Sequence, residues 1–354
     1  MGAAAAPQPT RWMRAEILEQ PEGVARLASQ LSHVREICET ARRYQPRFVL
    51  YVARGTSDNA AVYGKYLTTI RAGLPAGLAA PSTATLYGAR VDLRHCWTIG
   101  ISQSGATADV AEFLAQAREQ GSLTLAITND PSSRLATTAD MLLDTQAGPE
   151  RAVPATKTYT SQLAALAMLW SVWTSDVESV EALGGAVPQA MRTALAEEAV
   201  AAELARSALV GDRLLVTGRG YNYATSLETA LKLTETSYVS AMAFSAADLL
   251  HGPLAMVEPT LPSLVFAIPG PTYPSVVALL RELRSRRGPV IVIGPAGEAL
   301  SMSETALRLP GGLPEHLSPL LAIVPAQLMA YHLALHRGIE PDHPRGLSKV
   351  SGAG

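Results

Sequence analysis

The chain has 354 residues, an apolar content of 48% and a formal net charge of −2 at pH 7. This length predicts two domains, and the absence of a basic block argues against nucleic acid as a partner. The two cysteines, Cys38 and Cys96, cannot form a disulfide framework and lack the spacing of metal ligands. A reducing, cytoplasmic compartment is the simplest expectation.

The N-terminal region contains no predicted targeting segment. Residues 1–12 have no charged start and too short an apolar run for a signal peptide, so we expect a disordered tail. Helical spacing follows at residues 12–20 and again at 24–43. The most apolar late segment, residues 320–335, falls short of the roughly 20 residues that a bilayer requires. We therefore predict a buried helix there and no association with a membrane.

Strand and helix patterns alternate through the first half of the chain. Continuous apolar runs predict strands covered on both faces, at residues 48–53, 76–80, 97–101, 123–128 and 141–144. Helical patterns lie between them or after them, at residues 60–66, 109–120 and 158–173. This alternation predicts an α/β fold with a doubly wound, flavodoxin-like parallel sheet.

The second half of the chain repeats the first. Residues 213–222 reproduce the apolar run and Arg-Gly turn of residues 48–58, and residues 264–270 sit at nearly the same offset as the strand at 97–101. Two copies of one α/β unit are therefore predicted. The expected divisions are a domain at 13–174, a linker at 175–195, a second domain at 196–340 and a Pro- and Gly-containing tail at 341–354.

A polar loop follows the strand at residues 97–101. Ser102-Gln-Ser-Gly-Ala-Thr107 brings hydroxyl and amide side chains to the start of a helix, whose first N–H groups lack intrahelical partners and favour an anion. The chain lacks the P-loop and G-x-G-x-x-G patterns, so a phosphate monoester is the expected ligand. The corresponding loop of the second half, residues 269–274, contains three prolines and no hydroxyl cluster. Only one phosphate site is therefore predicted.

Charged residues stand among apolar ones between residues 227 and 258, where we expect a pair of buried helices. Glu228, Lys232 and Glu235 are spaced four and then three residues apart and share one helical face. A carboxylate beside an ammonium can act as a general base, and His251 titrates near neutral pH. From spacing alone, a surface ion-pair ladder with an exposed loop histidine is the favoured interpretation, because such pairs are common and weak.

The chain resembles the isomerase half of glucosamine-6-phosphate synthase. The similar motifs occur in that family's order, at residues 55–57, 102–107, 147–150, 155–157, 218–223, 230–235, 251–254 and 344–349. The resemblance covers nearly the whole chain. It implies two sugar-isomerase (SIS) domains and a site that transfers a proton on a hexose 6-phosphate.

The resemblance also implies individual roles. Phosphate ligands fall on Ser57, Ser102, Gln103, Ser104 and Thr107. The catalytic set comprises Glu235 for proton transfer, His251 for ring opening, Lys232 at the sugar oxygens and Lys349 on a closing C-terminal lid. Further substrate contacts are implied at Thr56, Val153, Ala155 and Ser348. The family resemblance implies a homodimer, in which His251 serves the partner's site, and neither a metal nor a cofactor.

Departures from the family pattern shape the expected reaction. No glutaminase region precedes Met13, and apolar residues replace polar ones of the family at Ala106, Ala155, Met242 and Leu250. Synthase activity is therefore not expected, and an isomerising glucosamine-6-phosphate deaminase is the leading hypothesis. Elimination of the C3 hydroxyl from N-acetylglucosamine 6-phosphate, by a dehydratase, is the alternative. A module that only senses a sugar phosphate is more remote, because the acid–base residues are retained.

Overall fold

The computed structural model describes residues 11–207, 211–303 and 305–349. Within them, ten strands form two five-stranded sheets in which every strand pair is parallel. The strands are β1 (Phe48–Val52), β2 (Ala76–Leu78), β3 (Cys96–Ser102), β4 (Leu123–Thr128), β5 (Met141–Asp144), β6 (Arg213–Gly218), β7 (Ser240–Ser245), β8 (Ser263–Phe266), β9 (Val290–Gly294) and β10 (Thr305–Arg308).

The strand orders are β2-β1-β3-β4-β5 and β10-β9-β8-β6-β7. When the strands of each domain are numbered 1 to 5 along the chain, the first sheet has the order 2-1-3-4-5. The second sheet has the same order when it is read from its opposite edge. The prediction of two tandem α/β units is therefore confirmed.

Helices cover both sheets. They are α1 (Trp12–Leu18), α2 (Gln20–Leu27), α3 (Leu31–Tyr44), α4 (Thr56–Ala72), α5 (Pro81–Thr85), α6 (Ala108–Glu119), α7 (Arg134–Thr138), α8 (Lys157–Trp173), α9 (Val177–Gly184), α10 (Ala186–Leu195), α11 (Glu198–Ser207), α12 (Asn222–Ser237), α13 (Ala246–Leu250), α14 (Tyr273–Ser285), α15 (Glu298–Ser301) and α16 (Ser318–His336). Short 3₁₀ turns occur at Ala28–Gln30, Pro253–Met256 and Glu315–Leu317.

Some local expectations need correction. The segment expected to hold a helix pair contains strand β7, whose Ala and Met residues lack the β-branched signature and whose place at a sheet edge leaves it half-buried. The helix expected at 24–43 is interrupted by the 3₁₀ turn. The expected linker, 175–195, is largely helical, because it forms α9 and α10. Most of the expected 1–12 tail lies outside the described residues, as do residues 350–354, and Trp12 already begins α1.

Two long helices occupy the interior of the protein. Helix α8 is buried along nearly its whole length and packs against α4. Among the described residues, the stretch Glu315–His336 is long and apolar enough to cross a membrane by length and composition alone. Its most apolar 18-residue window is 94% buried, as expected for a core helix, and α16 packs on α11 and α12.

The two domains share a continuous apolar core, and α12 of the second domain packs against α4 of the first. A buried polar network joins them at His316. Arg71 of α4 donates to His316 Nδ1 at 3.1 Å, and His316 Nε2 lies 3.0 Å from Ser179 Oγ. The Arg71 guanidinium also pairs with Asp176 at the start of α9. Since Nδ1 accepts a hydrogen bond, the imidazole in this network is neutral.

Burial, together with the nearby Arg71 cation, lowers the pKa of His316 from 6.5 to about 4. Between these values the unfolded chain binds a proton that the folded chain excludes, so the free energy of unfolding should fall as pH drops from 6.5 towards 4. His316→Gln keeps an acceptor for Arg71 and a donor for Ser179 without titrating. We expect a shallower loss of stability over this range, measured by urea denaturation at a series of pH values.

His343→Gln is the matched control, because His343 is exposed. It should leave the pH dependence of stability as in the unmodified protein. Equal slopes for His316→Gln and the unmodified protein would contradict the network.

Candidate active site

A cavity of about 120 Å³ lies beyond the carboxyl ends of β1 and β3. Ligands of doubly wound sheets bind at this edge. The structure brings to its wall all five phosphate ligands implied by the sequence, together with Thr56 and Ala155. The lining residues are Arg54, Thr56, Ser57, Ile101, Ser102, Gln103, Ser104, Thr107, Ala155, Thr158 and Gln162.

Three helices begin at this cavity. Thr56 starts α4, Thr107 caps α6, and Ala155 and Thr158 flank the start of α8. Neither α4 nor α6 has a side-chain capping hydrogen bond at its N-terminus. Their first N–H groups and helix dipoles therefore place positive partial charge around the cavity and favour an anion.

The serine hydroxyls of the cavity are held from within the protein. Gly105 N donates to Ser102 Oγ at 3.1 Å, Ala106 N to Ser104 Oγ at 3.2 Å, and Gln162 Nε2 to Ser57 Oγ at 2.9 Å. Because these oxygens act as acceptors, their own hydrogens can point to a ligand. The cavity therefore presents hydroxyl donors and helix N-termini that suit an anion.

Gly105 makes the tight loop possible. Its φ is +62°, and a Cβ at this position would lie 2.0 Å from Ser133 Oγ. A side chain would therefore both strain the backbone and clash with the cap of α7.

A buried ion cluster lies on α12. Lys232 Nζ is 2.5 Å from Glu235 Oε2 and 3.5 Å from Glu228 Oε1. The Lys232 and Glu228 side chains are 1% and 0% exposed, whereas Glu235 is 23% exposed. Burial by itself lowers the pKa of Lys232, but attraction to Glu228 and Glu235 outweighs it and raises that pKa. The buried residue is therefore an ammonium beside a carboxylate that a ligand can reach, and the surface ion-pair interpretation is wrong.

Glu228 connects this cluster to the cavity at the ends of β1 and β3. Its carboxylate accepts from Thr56 Oγ1 at 3.0 Å and from Asn59 Nδ2 at 2.8 Å, both on α4 of the other domain. Burial raises the pKa of Glu228 to about 7, against the opposing effect of Lys232. Thr56 both lines the cavity and binds Glu228, so the anion pocket and the acid–base cluster share one wall.

A second buried carboxylate, Glu150, holds the C-terminal tail. It accepts from the N–H groups of Thr156 and Thr158 at 2.8 and 3.1 Å, and from Lys349 Nζ at 3.0 Å. Burial raises the pKa of Glu150, but Lys349 and the donated hydrogen bonds bring it below its usual value. Glu150 therefore fixes the start of α8 and receives the tail amine.

Sequence reasoning missed Glu150 and Glu228 as site residues. Glu150 ends the motif at 147–150, shortly before a predicted helix. An acidic residue in this position is a signal for a carboxylate that binds the N–H groups at the start of the helix. Glu228 was recognised as sharing a face with Lys232 and Glu235. Its contacts with the other domain could not be read from spacing.

Three further predicted residues, Val153, Ser348 and His251, are not among the residues that line the cavity. Val153 is half-buried in the loop before α8, and Ser348 is exposed on the tail. His251 is exposed at the end of α13, and among the described residues its side chain makes no hydrogen bond or ion pair with the α12 cluster. In the described part of the chain, no group of three or more His, Cys, Asp or Glu side chains could hold a metal ion.

Two comparisons address the ancestry of this arrangement. The SIS domain model matches residues 44–172 and 210–337. The chain is 34% identical over 343 residues to the isomerizing glutamine–fructose-6-phosphate aminotransferase of Pyrococcus horikoshii, which covers 96% of this chain and 57% of that protein. The chain thus spans little more than half the length of this relative.

Solved structures have the same architecture. The C-terminal domain of glucosamine-fructose-6-phosphate aminotransferase from Francisella tularensis superposes with a TM-score of 0.85 at 28% identity, covering 96% of this chain and 100% of that one. Glucosamine-6-phosphate deaminase from Thermotoga maritima shares the fold, with a TM-score of 0.70 at 23% identity, covering 95% and 99% of the two chains. The chain belongs to the SIS-domain family, as a double-SIS protein homologous to the isomerase domain of glucosamine-fructose-6-phosphate aminotransferase.

Proposed function

We propose that this chain binds a 2-aminohexose 6-phosphate and converts it to fructose 6-phosphate and ammonia. Homology to the isomerase domain supports an enzyme that acts on phosphosugars. The observation that carries the proposal is the shared wall of the site. Thr56 lines the anion cavity and binds Glu228, which lies against the Lys232–Glu235 pair.

The chemistry follows from these groups. The cavity hydroxyls hold the 6-phosphate, and the Glu235 carboxylate removes the C2 proton of the opened sugar. The Lys232 ammonium, which lies 2.5 Å from Glu235 Oε2, stabilises negative charge that develops at O1. Return of the proton to C1 produces the imine of fructose 6-phosphate, and water hydrolyses that imine to the ketose and ammonia.

Neither Cys38 nor Cys96 fits the nucleophile of glutamine hydrolysis. Cys38 and Cys96 are both buried. Burial raises the pKa of the Cys38 thiol to about 12 and also raises the pKa of Cys96. A thiolate is the nucleophile that amide hydrolysis by cysteine requires, and neither residue supplies one.

A second candidate reaction shares the same base. If the substrate nitrogen is acetylated, no imine is available for hydrolysis, and the carbanion formed at C2 can expel the C3 hydroxyl as water. Ala155, which replaces a polar residue of the family, lies in the cavity wall, and this change is compatible with a bulkier, acetylated substrate. Met242, which replaces a polar residue of the family, packs instead against the core of the second domain.

Supplying each sugar separately distinguishes the reactions. With glucosamine 6-phosphate we expect two products. Fructose 6-phosphate is detected by proton NMR, and ammonia is measured by an ammonia assay. An unsaturated, ultraviolet-absorbing product from N-acetylglucosamine 6-phosphate would show that the protein catalyses elimination instead of deamination. Binding of either sugar without chemical change would instead indicate a sensor and contradict both reactions.

Glu235→Gln is the mechanistic control for this experiment. Loss of a general base lowers rates by about 10² to 10⁴, and both reactions require the C2 proton to leave. Glu282→Gln, at an exposed ion pair of the same domain, should retain full activity. Undiminished turnover by Glu235→Gln would refute the mechanism.

The phosphate cavity is tested by Ser104→Ala. A lost hydrogen bond to a charged group costs about 1.5 to 3 kcal/mol, so the affinity for fructose 6-phosphate should fall by about 10- to 100-fold in calorimetric titrations. Ser132→Ala is the matched control, because Ser132 is exposed and outside the cavity lining. Unchanged affinity for Ser104→Ala would remove this loop from the phosphate site.

We further propose a homodimer in which His251 opens the ring of the sugar bound by the partner. The exposure of His251 away from the α12 cluster of its own chain supports this arrangement. Mixing inactive Glu235→Gln with inactive His251→Ala should restore part of the activity, because hybrid dimers contain one intact shared site. Absence of recovery after subunit exchange, verified with differently tagged chains, would contradict the shared site.

A further inference from the structure

The loop before α8 is held from outside the site by helix α1. The buried Glu16 carboxylate accepts hydrogen bonds from the main-chain N–H groups of Arg151 and, at 3.3 Å, Ala152. These contacts join residues more than 130 positions apart in the chain. They satisfy two N–H groups of a loop that has no regular partner strand.

The tail holds the same loop and helix together. The Asp342 carboxylate, which is buried, accepts from Trp12 N at 2.8 Å and Met13 N at 2.7 Å, so it caps the start of α1. The main-chain oxygen of Asp342 accepts from Val153 N at 2.9 Å. One tail residue therefore binds both α1 and the loop.

The other side of this loop faces the candidate site. The Ala152 oxygen accepts from Lys349 Nζ at 2.8 Å, beside the Lys349 contact with Glu150. Further along, Ala155 and Thr158 line the phosphate cavity. Displacement of the loop would therefore move the tail amine and one wall of the cavity together.

We propose that Glu16 and Asp342 are positioning residues of the active site, which hold the 150–156 loop and thereby set the location of Lys349. Helix α1 is then part of the catalytic scaffold. An effect of Glu16 and Asp342 on catalysis rests on the proposed function, whereas their effect on the position of the 150–156 loop does not.

The structural test is hydrogen exchange of the full chain, followed by mass spectrometry in the absence of sugar. Asp342→Asn replaces an acceptor oxygen by a donor that opposes the Trp12 and Met13 N–H groups. We expect at least about 10-fold faster exchange in peptides covering residues 12–16, 150–156 and 342–349. Glu16→Gln should also accelerate hydrogen exchange in the peptide that covers residues 150–156. Unchanged exchange in both variants would overturn the proposal.

Arg14→Gln is the matched control on the same helix. Arg14 pairs with Glu198 at 2.7 Å and is 44% exposed, away from the loop contacts. Its exchange in the 150–156 peptide should equal that of the unmodified protein. An equal acceleration in Arg14→Gln would show general loosening of α1 and count against a specific role.

The catalytic test uses glucosamine 6-phosphate. Asp342→Asn and Glu16→Gln should lower kcat by at least about 10-fold, with a smaller change in affinity for inorganic phosphate. Because the effect acts through Lys349, Asp342→Asn should add little in a Lys349→Ala background. If the losses of kcat caused by Asp342→Asn and Lys349→Ala were fully additive, positioning through Lys349 would be contradicted. If the unmodified protein turns over no hexosamine phosphate, the proposed function fails while the exchange results still decide the structural role.

Discussion

The buried ammonium of Lys232 imposes the strongest physical constraint on the structure. Removing an ion from water costs several kcal/mol, and the cost is recovered only with close partners. Glu235 and Glu228 supply those partners from the same helix, at 2.5 and 3.5 Å. Glu228 in turn satisfies its oxygens with Thr56 and Asn59 of the other domain. Charge compensation in one domain is thereby completed by the other, and the two must dock with α12 against α4.

The two domains repeat one fold but differ at the helix starts. In the first, the N-termini of α4 and α6 face the cavity. In the second, the corresponding region beside Gly270 contains the Glu315 carboxylate, which accepts from Thr272 Oγ1 at 3.1 Å. A Cβ on Gly270 would lie 2.2 Å from Glu315 Oε2. An internal carboxylate therefore lies beside the corresponding loop of the second domain.

Local patterns were sufficient for much of the site. Hydroxyl residues at 102–107 between a strand and a helix predicted the anion cavity, because the chemistry of a helix start depends on neighbours in sequence. The spacing of Lys232 and Glu235 predicted their shared face for the same reason. Strand β7 was missed, since a half-buried edge strand rich in Ala has no strong local signature. Glu16 was missed because its partners lie far along the chain, and the contact of Glu150 with Lys349 spans 199 positions.

The alternation of buried strands and helices, its repetition and the polar loop could be predicted from the amino-acid sequence alone. These features depend on periodicity and on residues within one turn. The family resemblance added the identities of the candidate acid–base residues. Three outcomes required the folded structure: Lys232 is buried rather than part of a surface ladder, Glu228 reaches the other domain, and Asp342 joins the tail to α1. These outcomes depend on desolvation and on hydrogen bonds between segments more than 100 residues apart, which no local pattern encodes.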